Sequence, residues 1–242
     1  MAALASLLRR RRPDVLLRTL CATTTAPPLT SSAAKTRLRR EYDADRAVSL
    51  LEAIDTASLS AGSTRHALSL AARRLTRAGR LADAEALLSS HIPASPTEPH
   101  LSAILCSYAS AGLPEKALEA FRSAVPSLPS PISSMPFNAL LSAFVRCRRH
   151  RRVPVLFEEL SKEFSITPNA TSYAILVKAH CMVRHDAKAH EVIARMREEG
   201  ISPTTTIYTT MIDSMYKQKK IEEAQTLWKQ MLERMQAGPC NI

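Results

Sequence analysis

Glycine is scarce in this sequence, at 5 residues in 242, so turns that depend on it are few. Aromatic residues make up 5% of the chain, and Val and Ile are sparse. The residue types that favour strands are therefore in short supply, and no segment reads as a strand. The five cysteines (Cys21, Cys106, Cys147, Cys181 and Cys240) show no paired spacing. That argues against a disulfide framework or a Cys-x-x-Cys zinc site and leaves buried thiols in a reducing compartment as the expectation. The longest nearly uncharged apolar runs fall far short of the roughly 18 to 20 residues of a membrane span, so no membrane partner is expected. Chemistry-bearing motifs are missing too. There is no G-x-x-x-x-G-K-[ST] phosphate loop, and "HEVIA" from His190 has Ala194 where a zinc helix carries its second His. His180, His185 and His190 lie five apart, about 140 degrees around a helix, so they share no face and read as surface or groove histidines. Asp213 and Glu222 have no spacing that suggests a carboxylate pair. No catalytic residue, metal site or cofactor is expected.

What is present is helix-forming and basic. Leu, Ala, Arg and Glu dominate, 45% of the chain is hydrophobic, and 33 Lys and Arg face 22 Asp and Glu. A chain of this length and composition can bury a sizeable core. Residues 1–36 differ from the rest: rich in Arg, Ala, Leu, Ser and Thr, with one acid (Asp14), they turn to Thr/Pro/Ser coil after Cys21. The apolar "ALASLL" precedes the arginines rather than following them, which is the grammar of an organellar presequence and not of a secretory signal. A mitochondrial address is expected, with the chloroplast as the alternative. This segment holds six bases and one acid, so the formal charge of +11 falls to +6 without it.

The remaining chain repeats itself. "SITPNATSYAILVKAHC" at 165–181 returns as "GISPTTTIYTTMIDSMY" at 200–216, with Pro168 and Tyr173 reappearing as Pro203 and Tyr208, 35 residues on. Related stretches begin at Ser69, Ser102 and Asn138. A small residue marks the second half of each copy, at Ala47, Ala84, Ala117, Val153, Ala189 and Ala224, with separations of 37, 33, 36, 36 and 35. A fixed period in this range means stacked supersecondary units. Each unit reads as two helices. Tyr173, Leu176, Val177 and His180 or Cys181 form one apolar face, with Thr171 as the expected cap behind Pro168. Ala189, Val192, Ile193 and Met196 form the second face, ending at Gly200. A two-helix hairpin cannot bury its own apolar face, so the expected fold is all-α: a right-handed superhelical solenoid of antiparallel helix pairs, with about five 35-residue repeats. The expected divisions are a presequence and coil at 1–36, a partial helical repeat at 37–64, the array at 65–237 and a short tail at 238–242.

A period near 35, a Tyr early in the first helix, the Ala of "EEAQTLWKQM" in the second and a closing "G-I-x-P" resemble pentatricopeptide repeats of the pure 35-residue type found in plant organelles. The tetratricopeptide Trp-Leu-Gly signature is absent. The resemblance covers roughly Arg65 to Gln236, most fully in the units from Ala170 and Thr205. It implies binding of RNA, each repeat reading about one base with a few side chains. The family's reading positions are the residue after the Tyr-equivalent and the residue after the terminal Pro. They fall on Asn138 with Asn169, on Ala174 with Thr204, on Thr209 with an ill-defined partner, and on Ser102 with about Ser133. Paired asparagines select a pyrimidine in the family, whereas Ala174 offers a base nothing. Some relatives carry a C-terminal cytidine deaminase with a P-C-x-x-C motif, but here Pro239 and Cys240 are followed by only two residues.

Five repeats specify at most about five bases, a word that recurs by chance about every thousand nucleotides. The chain is therefore expected to read a short word inside a structured RNA, to act with a partner, or to dock on RNA presented by the mitochondrial ribosome. Arg146, Arg148, Arg149, Arg151 and Arg152, in "RCRRHRR" between the two helices of one unit, are the expected phosphate contacts; the plain alternative is a solvated basic turn. Trp228 is expected in the core. The last unit lacks a polar capping helix, so part of its outer face, with Met211, Ile212, Met215 and Leu227, is expected to be uncovered and to meet another protein, a second copy or ribosomal RNA. Two functions follow: an organellar RNA-binding factor in mitochondrial RNA processing, stability or translation, contacting single-stranded RNA on the concave face lined by the first helices, or a non-catalytic scaffold associated with the mitochondrial ribosome.

Overall fold

The computed structural model describes residues 31–52, 61–92 and 97–236. Among them every regular element is helical: α1 (Ser31–Arg40), α2 (Ala44–Glu52), α3 (Ala61–Arg77), α4 (Leu81–Ser90), α5 (Glu98–Ala111), α6 (Pro114–Ala124), α7 (Ser134–Arg146), α8 (Val153–Glu163), α9 (Ala170–Met182), α10 (Asp186–Glu198), α11 (Thr205–Lys217) and α12 (Ile221–Gln236). Short 3-10 turns at Val125–Ser127 and His150–Arg152 complete the set. No described helix is long and apolar enough to cross a membrane. The chain divides into two compact units, residues 1–127 and 128–242.

Within each unit the two helices of a pair pack on each other, and the first helix of a pair packs on the first helix of the next. In the first unit α3 lies against both α4 and α5; in the second, α9 lies against α7, α10 and α11. This is the stacked helix-pair arrangement that the 35-residue period predicts. The chain reverses between the helices of a pair by the same backbone device five times. One residue adopts a left-handed conformation, at Gly79, Gly112, Arg148, Arg184 and Lys219 (φ between 59° and 76°). The following N–H then reaches back to a carbonyl in the last turn of the first helix: Arg80 to Leu75, Leu113 to Tyr108, Arg149 to Phe144, His185 to His180 and Lys220 to Met215, at 2.9 to 3.0 Å. That six-to-one bond satisfies a carbonyl the helix end would otherwise leave unpaired.

The six small residues that mark the period, Ala47, Ala84, Ala117, Val153, Ala189 and Ala224, are all 0% exposed. They sit in the first turn of the second helices, facing the core. Around them Phe137, Phe157 and Tyr173 form a continuous aromatic run, with ring centroids 5.5 and 5.3 Å apart. The Tyr173 hydroxyl donates to Glu199, and Arg195 bridges Glu199 (2.9 Å) to Glu158, its guanidinium lying 5.8 Å above the rings of Phe157 and Tyr173. One cluster thus fastens α8, α9 and α10 together. In the next repeat Arg197 donates to the Tyr208 hydroxyl at 3.1 Å, so the recurring Tyr is a packing anchor in both copies. In the first unit the buried Arg74 does comparable work, donating to the Glu41 and Arg39 carbonyls and lying over the Tyr42 ring at 5.3 Å.

Several expectations are corrected here. The cap of α9 is Asn169, not Thr171: its side chain takes the Ser172 N–H while the Ser172 hydroxyl takes the Asn169 N–H, a reciprocal capping box. His180 is buried rather than superficial, because it shares the apolar face of α9 with Tyr173, Leu176 and Val177. Trp228 is 46% exposed and not core. Met211, Ile212, Met215 and Leu227 are buried inward, and the exposed apolar residues of the last pair are Tyr216, Ile221, Trp228 and Leu232. Residues 31–36, read as coil, belong to α1. The presequence reading of residues 1–30, Cys21 and Cys240 lie outside the described residues, and no disulfide joins Cys106, Cys147 or Cys181.

Candidate nucleic-acid interface

The second unit exposes two polar edges, one at the beginning of its first helices and one at their end. At the beginning, Pro168 directs the chain into Asn169, whose extended backbone lets its side chain cap α9. Asn138 stands one turn into α7, next to the fully buried Phe137 that anchors that helix. Helix packing of α7 against α9 brings the two asparagines together. The Asn138 Nδ2 donates to the Asn169 Oδ1 at 3.2 Å, and the Ser172 hydroxyl donates to the Asn138 Oδ1 at 2.6 Å. The Asn169 Nδ2 donates to the Ser134 hydroxyl at 2.7 Å. Both amide oxygens are taken and each amide nitrogen has used one of its two protons. The pair therefore presents oriented N–H donors at a half-open edge. Ser134 and Ser172 are the members of this network that sequence reasoning missed; the spacing Asn-x-x-Ser, a capping-box pattern, was the available signal for Ser172, and Ser134, 35 residues from Asn169, had no local one.

The other reading positions are less equipped. Ala174 is half-buried and offers a methyl group; Thr204 is exposed at the start of α11 with no side-chain capping bond. No hydrogen bond joins these two. Thr209 is exposed, its hydroxyl donating to the Thr206 carbonyl at 3.1 Å. The Ser102 hydroxyl donates to the Glu98 carbonyl at 2.7 Å, and Ser133 caps α7 by accepting from the Met135 N–H at 3.2 Å; these two belong to different units. Of the expected pairs, the structure brings together Asn138 and Asn169.

The opposite edge carries the arginines. Arg146 ends α7, Arg148 is the left-handed turn residue, Arg149 precedes the 3-10 turn, and Arg151 and Arg152 lie within it. All five are exposed. No Asp or Glu occurs between Glu119 and Glu158, and among the described residues no acid pairs with Arg148, Arg149, Arg151 or Arg152. Burial and the nearby charges of Arg148 and Lys178 hold the His150 imidazole below its usual range, so it stays neutral amid these cations. Ten residues of helix and turn separate Asn138 from Arg148, roughly 15 Å along the axis, so the edges are distinct. No group of His, Cys, Asp and Glu among the described residues is arranged to hold a metal ion.

Family comparison decides what kind of repeat this is. A pentatricopeptide repeat domain model matches residues 164–218, and the PPR repeat model matches 100–124, 136–163 and 206–235. This chain belongs to the pentatricopeptide repeat family. The asparagine edge and the arginine edge are then the two ends of its repeats' first helices. A similar protein is the Arabidopsis thaliana small ribosomal subunit protein mL103 (rPPR7), 35% identical over 218 residues, which cover 88% of this chain and 53% of the relative. A mitochondrial pentatricopeptide repeat-containing protein of the same plant is 35% identical over 216 residues, covering 87% of this chain and 51% of the relative. The chain thus spans about half the length of these curated relatives. Maize PPR10, solved in complex with an 18-nucleotide psaJ RNA element, shares the fold at a TM-score of 0.55 and 18% identity, over 91% of this chain and 32% of that one.

Proposed function

We propose that this pentatricopeptide repeat chain is a non-catalytic RNA-binding protein of mitochondria, acting in RNA processing, stability or translation by contacting single-stranded RNA along the edge where its first helices begin. The observation that carries the reading is the Asn138–Asn169 pair, held in one orientation by Ser134 and Ser172 at the reading positions of the family. Its remaining N–H donors complement the O2 and N3 acceptors of cytosine better than the N3–H of uracil. The mitochondrial names of similar proteins support the location. Similarity to a ribosomal subunit protein supports a second reading, a scaffold that holds RNA within the mitochondrial ribosome. Crosslinking and sequencing of RNA bound to the protein in mitochondria, with sedimentation of the same extract, tests both. Crosslinks to one transcript with light sedimentation establish a transcript-specific factor. Crosslinks to ribosomal RNA with co-sedimentation in a ribosomal peak establish the scaffold. Absence of both classes of crosslink overturns the RNA reading.

A further inference from the structure

The left-handed turn residue of each repeat is glycine in the first unit, at Gly79 and Gly112, but a cation in all three repeats of the second, at Arg148, Arg184 and Lys219. A side chain in this conformation costs backbone energy that glycine avoids. All three cations are exposed. A cation at a helix C-terminus gains from the helix dipole, which softens that cost at each turn but does not explain why one unit uses glycine and the other charge. Because α7, α9 and α11 pack side by side, the three turns fall in a row along one edge. At about 8 to 10 Å between packed helices the row is roughly 20 Å long. Arg149, Arg151 and Arg152 widen it at one end.

Acidic groups near the row are few and mostly occupied. Asp186 is bound by Lys220 at 2.7 Å and Gln218 at 3.0 Å; Lys220 also lies 4.0 Å from Glu223, while Glu222 remains exposed beside Lys219. The row is thus strongest at the α7–α8 turn and weakest at the α11–α12 turn. Three residues before each cation the chain holds Val145, Cys181 and Tyr216, and directly after it Arg149, His185 and Lys220, so neither position repeats a ring from turn to turn on which successive bases of a single strand would stack.

We infer that this turn edge of the second unit is a second RNA site that grips the phosphate backbone of a duplex without reading its bases. A strand of B-form DNA presents a phosphate about every 3.4 Å along its axis, and the A-form helix of RNA packs them somewhat closer, so at least about six lie within reach of the row. Duplex RNA hides its base edges from side chains and is recognised by shape and backbone contacts, which is what a row of exposed cations with no ring or carboxamide repeated from turn to turn supplies. The inference rests on the RNA-binding reading only for the choice of polyanion. Its chemistry is independent of the asparagine edge roughly 15 Å away.

The test uses the full chain with a hairpin of about 16 base pairs and with an unpaired strand containing cytosine, over a range of salt concentrations. The triple variant Arg148→Gly, Arg184→Gly, Lys219→Gly removes the charges while giving each turn the residue it conforms to best, so folding is preserved. A second variant, Arg149→Gln, Arg151→Gln, Arg152→Gln, probes the wide end. Each triple variant is expected to weaken hairpin binding at least about tenfold and to flatten the log affinity against log salt slope by about 3, one per lost phosphate contact. Both should keep the cytosine over uracil preference of the unpaired strand. The variant Asn138→Ala, Asn169→Ala should lose that preference and keep hairpin binding. Unchanged hairpin affinity and slope in both triple variants overturn the inference, as does loss of hairpin binding in the asparagine variant. An unaltered chain that binds the unpaired strand but no hairpin overturns the duplex site alone, whereas one that binds neither sinks the RNA reading with it.

Discussion

Asn169 does two jobs with one side chain. Its Oδ1 caps α9 through the Ser172 N–H at 3.0 Å and also accepts from Asn138, while its Nδ2 faces Ser134 and the open edge. Asn169→Asp keeps an acceptor where the cap needs one but replaces the N–H donors with a second oxygen. We expect thermal stability to hold within about 0.5 kcal/mol and base preference to move from cytosine towards uracil, whose N3–H needs an acceptor; titration of otherwise identical strands reads it. Asn169→Ala removes both roles and should cost about 1 kcal/mol of stability by denaturant unfolding, besides weakening binding. His180 is a residue with no functional claim and a clear physical signature. Its Nδ1 is buried without a hydrogen-bond partner, and burial, with Lys188 and His185 nearby, holds the imidazole below its ordinary value against the opposing pull of Glu191. The unfolded chain therefore binds a proton more readily than the folded one. Stability should decline as the pH falls below about 6.5, the ordinary imidazole value, before the carboxylates begin to titrate. Denaturation midpoints that fail to drop between pH 7.5 and 5.5, or that drop equally in His180→Leu, would refute this.

At the scale of the helix pair, what repeats in the sequence is what packing requires, and what varies is what faces outward. Tyr173 and Tyr208 recur because each hydroxyl meets a charged partner on a second helix: Tyr173 bonds Glu199, which with burial raises the phenol above its usual range, and Tyr208 accepts from Arg197. Tyr173→Ala should cost about 3 to 5 kcal/mol, since it empties the site against Phe157, whereas Tyr173→Phe should cost about 1 kcal/mol for the lost hydrogen bond. Equal losses in the two variants would place the cluster's energy in the hydroxyl rather than the ring. The period, the helix pairs and the buried small residues were legible because a mismatch at any of them leaves a cavity or a clash, so every copy carries the same mark. Caps and outer faces were not. Thr171 and Asn169 both suit a helix start, and only the phase of the preceding Pro168 and the position of Ser172 decide for Asn169. Trp228 is half-exposed on α12, and an apolar pattern on one helix does not say which of two faces its neighbour covers. The Asn138–Asn169 contact joins residues 31 apart and was reached through the family's reading positions, not through any local pattern.

Taken over the whole chain, affinity and selectivity have different sources. The formal charge of +11, with Arg148, Arg149, Arg151 and Arg152 exposed, supplies attraction to any RNA and dependence on salt. If about five single-strand phosphates are neutralised, at roughly 0.7 per phosphate, affinity should fall about 100-fold between 50 and 200 mM salt. Under the proposed function, selectivity is assigned to the reading positions expected from the family, and these are unequal: one carboxamide pair in fixed orientation, a methyl group at Ala174 with an exposed Thr204, and hydroxyls at Ser102 and Thr209 bonded to their own helices. Repeats that fold alike need not read alike, because stacking depends on buried positions and reading on the few residues beside them. Selection from a random RNA pool should therefore yield a motif with one strongly constrained pyrimidine and weak neighbours, not a run of about five fixed bases. A sharp motif of that length would mean that bound RNA reorganises the threonine and serine positions. A single constrained position leaves target choice to what surrounds the word, whether a folded RNA that offers a duplex beside an unpaired base or a particle that holds both in place.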